Sequence, residues 1–280
     1  MKRTLLTALS LALVSTAFSQ GLYKAPFGIQ TYSFRNSFPK GVAQTLDTIK
    51  SFGITELEAN APGTMTNEEF KKLCDERGLK IPSTGAGYDD LTKDPMKIVT
   101  QAKVLGATYV MTAWIPHERG KFTLENAKKA VADFNSGGKV LAENGLTFCY
   151  HIHGFEFQPY EDGTLLDYII KNTDPKYVSF EMDILWTYFG GGDPVKLLKK
   201  YGKRFKLLHV KDLKKGTPKD LTGGTDTNND VTLGTGEIDI PAIIRQANKL
   251  GIKHFFIEDE SSRVTQQVPQ SIAYLKSLKK

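Results

Sequence analysis

The sequence has few cysteines, no concentration of basic residues and, beyond its first twenty residues, no long apolar run. Cys74 falls in a helical pattern and Cys149 in an apolar strand pattern, so we expect buried free thiols rather than a disulfide framework. The formal charge of +6 becomes +4 without Lys2 and Arg3, and the other basic residues are spread along the chain. This distribution does not favour a nucleic-acid partner. A chain of 280 residues that is 40% hydrophobic and 24% charged is neither fibrous nor disordered.

The chain begins with a segment typical of a secretory signal peptide. MKRTLLTALSLALVSTAFSQ combines a basic start, an apolar run and small residues before a cleavage point after Ser19. The apolar run is too short and wrongly flanked for a resident transmembrane helix. We therefore predict a signal peptide over residues 1–19, a domain over residues 20–280 and a periplasmic or secreted location. Gln20 is not the cysteine of a lipoprotein, so no membrane anchor is expected.

One pattern recurs along the chain: a polar, helix-like stretch ends at a glycine, and a β-rich run follows at once. Such glycines fit the left-handed cap at which helices commonly stop; they are Gly53, Gly78, Gly106, Gly145, Gly202 and Gly251. With the runs at 27–34 and 177–184, eight strands alternate with segments long enough for helices. This pattern predicts an α/β fold, a single-domain (β/α)8 TIM barrel. A doubly wound sheet would have fewer strands and a glycine-rich first loop, which SFRNSFPKG is not.

A long polar stretch, GTPKDLTGGTDTNNDVTLGTGEID (216–239), follows the seventh predicted strand. We expect it to form a loop over the mouth of the barrel. Its GTG segment is a weak motif, and we interpret it as a turn in preference to a phosphate site.

Polar residues stand where the predicted strands end. In YHIHGFEF (150–157), His151 and His153 are two apart, so on a strand they share a face. Taken alone, such a pair has three interpretations: histidines that are hydrogen-bonded in the core or on the surface, ligands of a metal, or groups that transfer protons. The other strand ends carry Glu58, Glu181, Asp183, His209, Lys211, Asp212, Glu258 and Glu260. Because a barrel brings these ends together, they are expected to form a ring of Asp, Glu and His that suits a divalent cation.

Five motifs carry a resemblance to a known family: YHIHGFEF, FEMDILWTYFGGGDPV, LLHVKD, LGTGEIDI and FFIEDE. Together they resemble the xylose-isomerase-like barrel superfamily, in the branch called sugar phosphate isomerase/epimerase, from about Gly28 to the end of the chain. The resemblance implies one divalent metal ion (Mn, Zn, Co or Mg) held from the last four strands. Carried over, the ligands are Asp183, His209 and Glu258. His151 stands where relatives often have glutamate, and we assign it as the fourth ligand, with orientation of a ligand as its alternative role.

Further roles are predicted for residues near these strand ends. The catalytic acid or base candidates are His153, Glu156, Lys211 and Glu258, and the substrate-binding candidates are Glu58, His117 and Trp186. Structural alternatives stay open for three of them: core packing for His153 and Trp186, and an ion pair for Glu58.

This set of residues favours removal of a proton α to a carbonyl, with a metal-stabilised enediolate. Returning the proton isomerises or epimerises a sugar, whereas expelling a β substituent eliminates it. Export favours a non-phosphorylated sugar or keto-sugar as the small-molecule partner. The alternatives are a 3-keto-glycoside lyase or hydratase and a non-catalytic sugar-binding barrel. An endonuclease of the same architecture would need a basic groove. A homo-oligomer is compatible with the sequence.

Overall fold

Eight parallel strands form a closed barrel. The computed structural model describes residues 21–63 and 65–279, so the predicted signal peptide (1–19) lies outside the described residues. The strands are β1 (Gly28–Gln30), β2 (Glu56–Glu58), β3 (Lys80–Gly85), β4 (Tyr109–Thr112), β5 (Thr147–His151), β6 (Val178–Asp183), β7 (Phe205–Val210) and β8 (His254–Ile257). Each pairs with its neighbour in chain order, and Gly28 of β1 lies opposite both Glu56 and Phe256, which closes the ring. The predicted single-domain TIM barrel is confirmed.

Helices connect the strands. They are α1 (Val42–Ser51), α2 (Asn67–Glu76), α3 (Tyr88–Lys93), α4 (Pro95–Leu105), α5 (Leu124–Glu143), α6 (Leu165–Asn172), α7 (Ile184–Phe189), α8 (Pro194–Tyr201), α9 (Ile240–Leu250) and α10 (Val264–Ser277). Side chains in the sequence fix where they begin: Thr66 and Glu69 form a reciprocal capping box at α2, and Asp193 followed by Pro194 starts α8. Among the described residues, none of these helices is long and apolar enough to cross a bilayer.

The predicted glycine stops set the change from helix to strand. Gly106 (φ 74°, ψ 19°) and Gly251 (φ 75°, ψ 26°) are left-handed caps that end α4 and α9. Gly202 differs from the prediction, because at φ 48° and ψ −113° it is not left-handed helical. Its N–H still closes the last turn of α8 on the Leu198 carbonyl, and a 3-10 turn (Gly202–Arg204) then precedes β7.

Alternate residues of the strands fill the barrel in layers. Cys149, Leu207 and Phe256 form an apolar cluster, with Tyr109 packed against it. Two positions further along the same strands come His151, His209 and Glu258, so the layer at the carboxyl ends is polar. Both cysteines are buried and free, as predicted, Cys74 in α2 and Cys149 in β5.

The polar stretch 216–239 forms the predicted loop at the barrel mouth. Asp212 holds its end: its carboxylate accepts the N–H groups of Gly234 (2.9 Å), Gly236 (2.9 Å) and Ile238 (3.2 Å). The GTG segment is therefore a turn: the N–H groups of Gly234 and Gly236 donate to the Asp212 carboxylate, and that of Thr235 donates to the Thr232 carbonyl. Further back, Gly223 (φ 68°) lies so close to Phe155 that a Cβ would stand 2.7 Å from its ring. The loop from β7 thus reaches the segment that follows β5.

Candidate metal centre and active-site cavity

A cavity of about 1360 Å³ opens at the carboxyl ends of the strands. His151, His153, His209 and Glu258 line it, together with loop residues such as Gly223 and Thr225. Tyr32 (53% exposed) and Trp114 (36%) also line it, and both are large side chains left exposed by the fold. They follow β1 and β4, which are three strands apart around the barrel. A polar floor between aromatic side chains is typical of a small-molecule site.

Four side chains at the carboxyl ends of β5 to β8 lie on the floor, and three of them, His151, Asp183 and His209, bring ligand atoms within 4.8 Å of one another. His209 Nδ1 lies 3.3 Å from Glu258 Oε2 and 3.8 Å from Asp183 Oδ2. His151 Nε2 lies 3.9 Å from the same Asp183 oxygen. Donors bound to one ion at about 2.1 Å are separated by roughly 3 to 3.5 Å, so this group needs only a small contraction around a cation.

The chemistry of these donors fits a divalent ion. Asp183 Oδ1 accepts the Trp186 N–H (2.8 Å) at the start of α7, which leaves Oδ2 facing the histidines. Asp183 Oδ2 and His209 Nδ1 are buried without a hydrogen-bond partner among the described residues. Unpartnered buried polar atoms are costly, and two imidazole nitrogens with two carboxylates suit Zn, Mn, Co or Fe better than Ca. His151, Asp183, His209 and Glu258 would hold the metal.

The pKa values of the carboxyl groups on the floor also indicate that a bound cation would be stabilised there. Burial raises the pKa of Asp183 to about 7, although Lys211 and His209 oppose the rise. Burial also raises the pKa of Glu181 well above its usual range, with Glu58 adding to the effect. The pKa of Glu258 is well below its usual range because Lys211 and His209 outweigh its burial. The floor thus encloses more carboxylates than its fixed positive charges neutralise.

Two further carboxylates lie behind the histidines. Glu58 Oε1 is 2.7 Å from His209 Nε2, and Glu181 Oε2 is 3.0 Å from His151 Nδ1 and 3.3 Å from His209 Nε2. Glu58 was predicted to bind substrate, but it is fully buried beneath His209 and does not line the cavity. Glu181 belongs to the predicted ring of strand-end residues, but the sequence assigns it no individual role. The signal was present in its spacing, because Glu181 and Asp183 share one face of β6.

Lys211 is locked by three carboxylates rather than free in the cavity. Its Nζ lies 2.7 Å from Glu260 Oε1, 3.1 Å from Glu258 Oε2 and 3.5 Å from Asp230 Oδ2. Burial would lower the pKa of Lys211, but these carboxylates raise it well above its usual value. Lys211 therefore stays charged and holds Glu258 in place.

The other predicted residues fall into two groups. His153 and Trp186 line the cavity, with their rings stacked at 5.9 Å between centroids. His117 packs among aromatic side chains, 4.2 Å from Phe155, and lies outside the cavity lining. Glu156 is buried, where it accepts hydrogen bonds from the Tyr150 hydroxyl and the His153 N–H. Their catalytic and binding roles stay predictions.

Trp114 is a cavity residue that the sequence did not single out. Its ring stacks on His117 (4.9 Å between centroids) and meets His153 edge-on at 5.4 Å. The signal was the tryptophan in AWIPH, two residues beyond β4. With Trp186 it gives the β4 to β6 side of the cavity an aromatic wall.

Burial of Glu156 leads to a prediction on stability. Its burial raises the pKa of this carboxyl from 4.5 to about 7, against the lowering effect of the Tyr150 hydrogen bond. The folded state therefore keeps a proton that the unfolded chain releases, and stability is lost as pH rises through this window. Between pH 5 and pH 8, we expect the free energy of unfolding of the wild type to fall by about 3 kcal/mol because of Glu156. In Glu156→Gln this fall should be absent, and urea unfolding at several pH values measures it.

The exposed Glu125, in the first turn of α5, provides the matched control. Glu125→Gln makes the same chemical change on the surface and should keep the pH dependence of the wild type. An equal pH dependence in Glu156→Gln and the wild type would contradict the prediction.

Comparison with known proteins agrees with this geometry. The Xylose isomerase-like TIM barrel family matches residues 46–278. Inosose dehydratase 2 of Bacillus cereus is 34% identical over 166 residues, which are 52% of this chain and 54% of that protein. The chain spans between 30% and 54% of the length of the first curated relatives that it matches.

Solved structures share the fold over nearly the whole chain. A sugar phosphate isomerase/epimerase from Parabacteroides distasonis has a TM-score of 0.74 at 25% identity, covering 94% of this chain and 98% of its own. A xylose isomerase-like TIM barrel protein from Mycobacterium smegmatis in complex with magnesium has a TM-score of 0.68 at 17% identity, covering 91% and 96%. The second likeness shows the fold alone. With a family match over most of its length and a closed barrel that carries a buried His, Asp and Glu cluster, the chain belongs to the xylose isomerase-like TIM barrel family.

Proposed function

We propose that the protein is a divalent-metal-dependent enzyme that removes the proton α to a carbonyl of a non-phosphorylated sugar. The observation that carries the proposal is the floor of the cavity, where ligand atoms of His151, Asp183 and His209 lie within 4.8 Å of one another and Glu258 Oε2 lies 3.3 Å from His209 Nδ1. Asp183 Oδ2 and His209 Nδ1 have no hydrogen-bond partner among the described residues. Bound there, a divalent cation polarises the carbonyl and stabilises the negative charge that develops on its oxygen.

The chain's own residues supply the rest of the chemistry. His153 lines the cavity beside His151, with 4.7 Å between the ring centroids. Burial lowers the pKa of His153 to about 4, so the imidazole is neutral at neutral pH and can accept the substrate proton. Trp186 and Trp114 offer flat apolar faces to a sugar ring, and the loop at Gly223 to Thr225 limits access of water.

The fate of the enediolate separates two candidates. Returning the proton gives an isomerase or epimerase, which the structural neighbour from Parabacteroides distasonis supports by its description. Expelling a β hydroxyl or glycosidic oxygen gives a dehydratase or lyase, and the inosose dehydratase relatives support this second candidate. We propose isomerisation or epimerisation first and elimination, including that of 3-keto-glycosides, as its alternative.

The predicted export of the protein supports the choice of a non-phosphorylated substrate. Sugar phosphates are cytoplasmic metabolites, and the first twenty residues carry the pattern of a secretory signal. We propose a periplasmic or secreted location. Fractionation of cells that express the full chain, followed by mass measurement of the mature N-terminus, tests this part separately.

Proton exchange is the most direct test of the reaction. The metal-loaded enzyme is incubated in D2O with keto-sugars, an inosose, a 3-keto-glucoside and a sugar phosphate, and NMR follows the α proton. Exchange without loss of a group indicates isomerase or epimerase chemistry, whereas release of water or an aglycone indicates elimination. His153→Gln should slow exchange by about 10²- to 10⁴-fold, as for loss of a general base.

Two results would contradict the proposal. The first is the absence of exchange and turnover across the whole panel with every metal tried. The second is stabilisation by a sugar that persists after EDTA treatment without any exchange, since this is the behaviour of a sugar-binding barrel.

A further inference from the structure

The carboxylates behind the two histidines form a layer of their own. Glu58, Glu181 and His209 bring ligand atoms within 4.8 Å of one another, so they are a second group that can be considered for a cation. The contact between Glu58 Oε1 and His209 Nε2 is 2.7 Å, which is hydrogen-bond distance and short for two ligands of one ion. Neither glutamate lines the cavity, and both are fully buried. The geometry is that of hydrogen bonding to the imidazoles.

The hydrogen bonds around Glu58 determine the direction of its bond to His209. Gln30 Oε1 accepts the N–H of Tyr32 (3.1 Å), so the amide NH2 of Gln30 faces Glu58 Oε1 at 2.7 Å and donates to it. Ser83 Oγ donates to the other oxygen of Glu58. Glu58 Oε1 is thus an acceptor, and the proton in its bond to His209 belongs to Nε2 of the histidine.

His151 and His209 use different ring nitrogens to contact the buried glutamates. His151 directs Nδ1 at Glu181 Oε2 (3.0 Å), while its Nε2 faces Asp183 Oδ2 at 3.9 Å. The raised pKa of Glu181 belongs to the floor without a cation, and a divalent charge beside His151 favours the ionised carboxylate, which accepts from Nδ1. His209 directs Nε2 at Glu58, while its Nδ1 faces Asp183 and Glu258. A ring nitrogen can bind a metal only through a free lone pair, so the partner of the other nitrogen decides which one is available.

We infer that Glu58 and Glu181 are positioning residues that hold His209 with its proton on Nε2 and His151 with its proton on Nδ1, so that His209 Nδ1 and His151 Nε2 are both presented to one divalent cation. This inference rests on the metal-dependent function proposed above. Glu58 reaches the cation only through His209, and Gln30 and Ser83 keep Glu58 itself in place. The layer connects β1, β2 and β3 to a centre whose ligands come from β5 to β8.

The chain offers a matched control on the same strand. Glu56, two residues before Glu58, also pairs with a histidine: its Oε2 lies 2.8 Å from His254 Nδ1. His254 begins β8, so this pair lies at the opposite end of the barrel from the cavity. Glu56→Met and Glu58→Met therefore each remove one Glu–His hydrogen bond from β2, but only the second removes one behind the cavity floor.

The first test measures binding of Zn²⁺ alone by calorimetry in four proteins. Glu58→Met should weaken affinity by about 10- to 100-fold, as for loss of a ligand's hydrogen-bond partner. Glu58→Gln should restore most of it, because a glutamine oxygen can still accept from His209 Nε2 and from Gln30. Glu56→Met should bind like the wild type. Circular dichroism checks that each variant is folded.

The second test needs no variant. Nitrogen-15 NMR of the zinc-loaded wild type reports which imidazole nitrogen carries the proton, and it should show Nε2–H for His209 and Nδ1–H for His151. Either opposite tautomer would overturn the inference, as would a folded Glu58→Met that binds Zn²⁺ as tightly as the wild type. A wild type that binds no ion overturns the proposed function instead, so the two failures are distinct.

Discussion

Replacing Asp183 by asparagine is expected to remove the metal and lower turnover by about 10³-fold, while the barrel stays folded. The Oδ1 atom of asparagine can still accept the Trp186 N–H that starts α7. Its amide nitrogen would then take the place of Oδ2, the atom that faces His151 and His209. An amide NH2 cannot donate a lone pair to a cation. A loss of about 4 kcal/mol of charge stabilisation corresponds to this rate factor.

Asp193 supplies the control for this change. It caps α8 as Asp183 caps α7, with Oδ1 accepting the Lys196 N–H at 3.0 Å, but its side chain is 46% exposed and lies outside the cavity lining. Asp193→Asn should keep both the metal and the exchange rate of the wild type. The measurements are proton exchange in D2O and metal retention after gel filtration. If Asp183→Asn retains metal and rate, Asp183 is not a ligand.

Replacing Lys211 by methionine is expected to destabilise the fold by about 3–5 kcal/mol, which is the usual cost of removing one partner of a buried ion pair. The ammonium group is buried among Glu258, Glu260 and Asp230, and its removal leaves three carboxylates without their shared cation. Methionine fills a similar volume, so the loss of stability would come from the missing positive charge and not from a cavity. Such a change should lower the melting temperature by roughly 10 °C.

The same substitution at Lys93 shows what an exposed ion pair contributes. Lys93 Nζ lies 2.8 Å from Asp89, but their side chains are 72% and 73% exposed. Lys93→Met should therefore change stability by less than about 1 kcal/mol. Calorimetric melting of both variants without added metal makes the comparison. Equal melting temperatures for Lys211→Met and Lys93→Met would show that the Lys211 cluster does not stabilise the fold.

The barrel and the place of the site could be predicted from the sequence because both follow from local rules. Helices stop at glycines such as Gly106 and Gly251, and β-rich runs follow them. Residues two apart on a strand share a face, so His209 and Glu258 had to stand above the apolar Leu207 and Phe256. Parallel strands closed into a barrel then place such residues around one mouth.

The division of roles within the site could not be predicted in this way, because it depends on contacts between distant strands. Glu58 and Glu181 differ from Glu258 only in which neighbour each carboxylate meets, and β2 and β7 supply the Glu58 contact with His209. Glu156 follows His153 by three residues, yet its side chain is held by Tyr150 away from the cavity. Sequence spacing does not specify these side-chain directions.

Metal content of the purified protein tests the central claim most directly. The wild type, Asp183→Asn and Asp193→Asn are incubated separately with manganese, zinc, cobalt and magnesium, freed of excess ion by gel filtration and measured by elemental mass spectrometry. We expect about one tightly held ion per chain, of at least one of these metals, in the wild type and in Asp193→Asn, and none in Asp183→Asn. A folded wild type that retains none of the four metals would contradict the account.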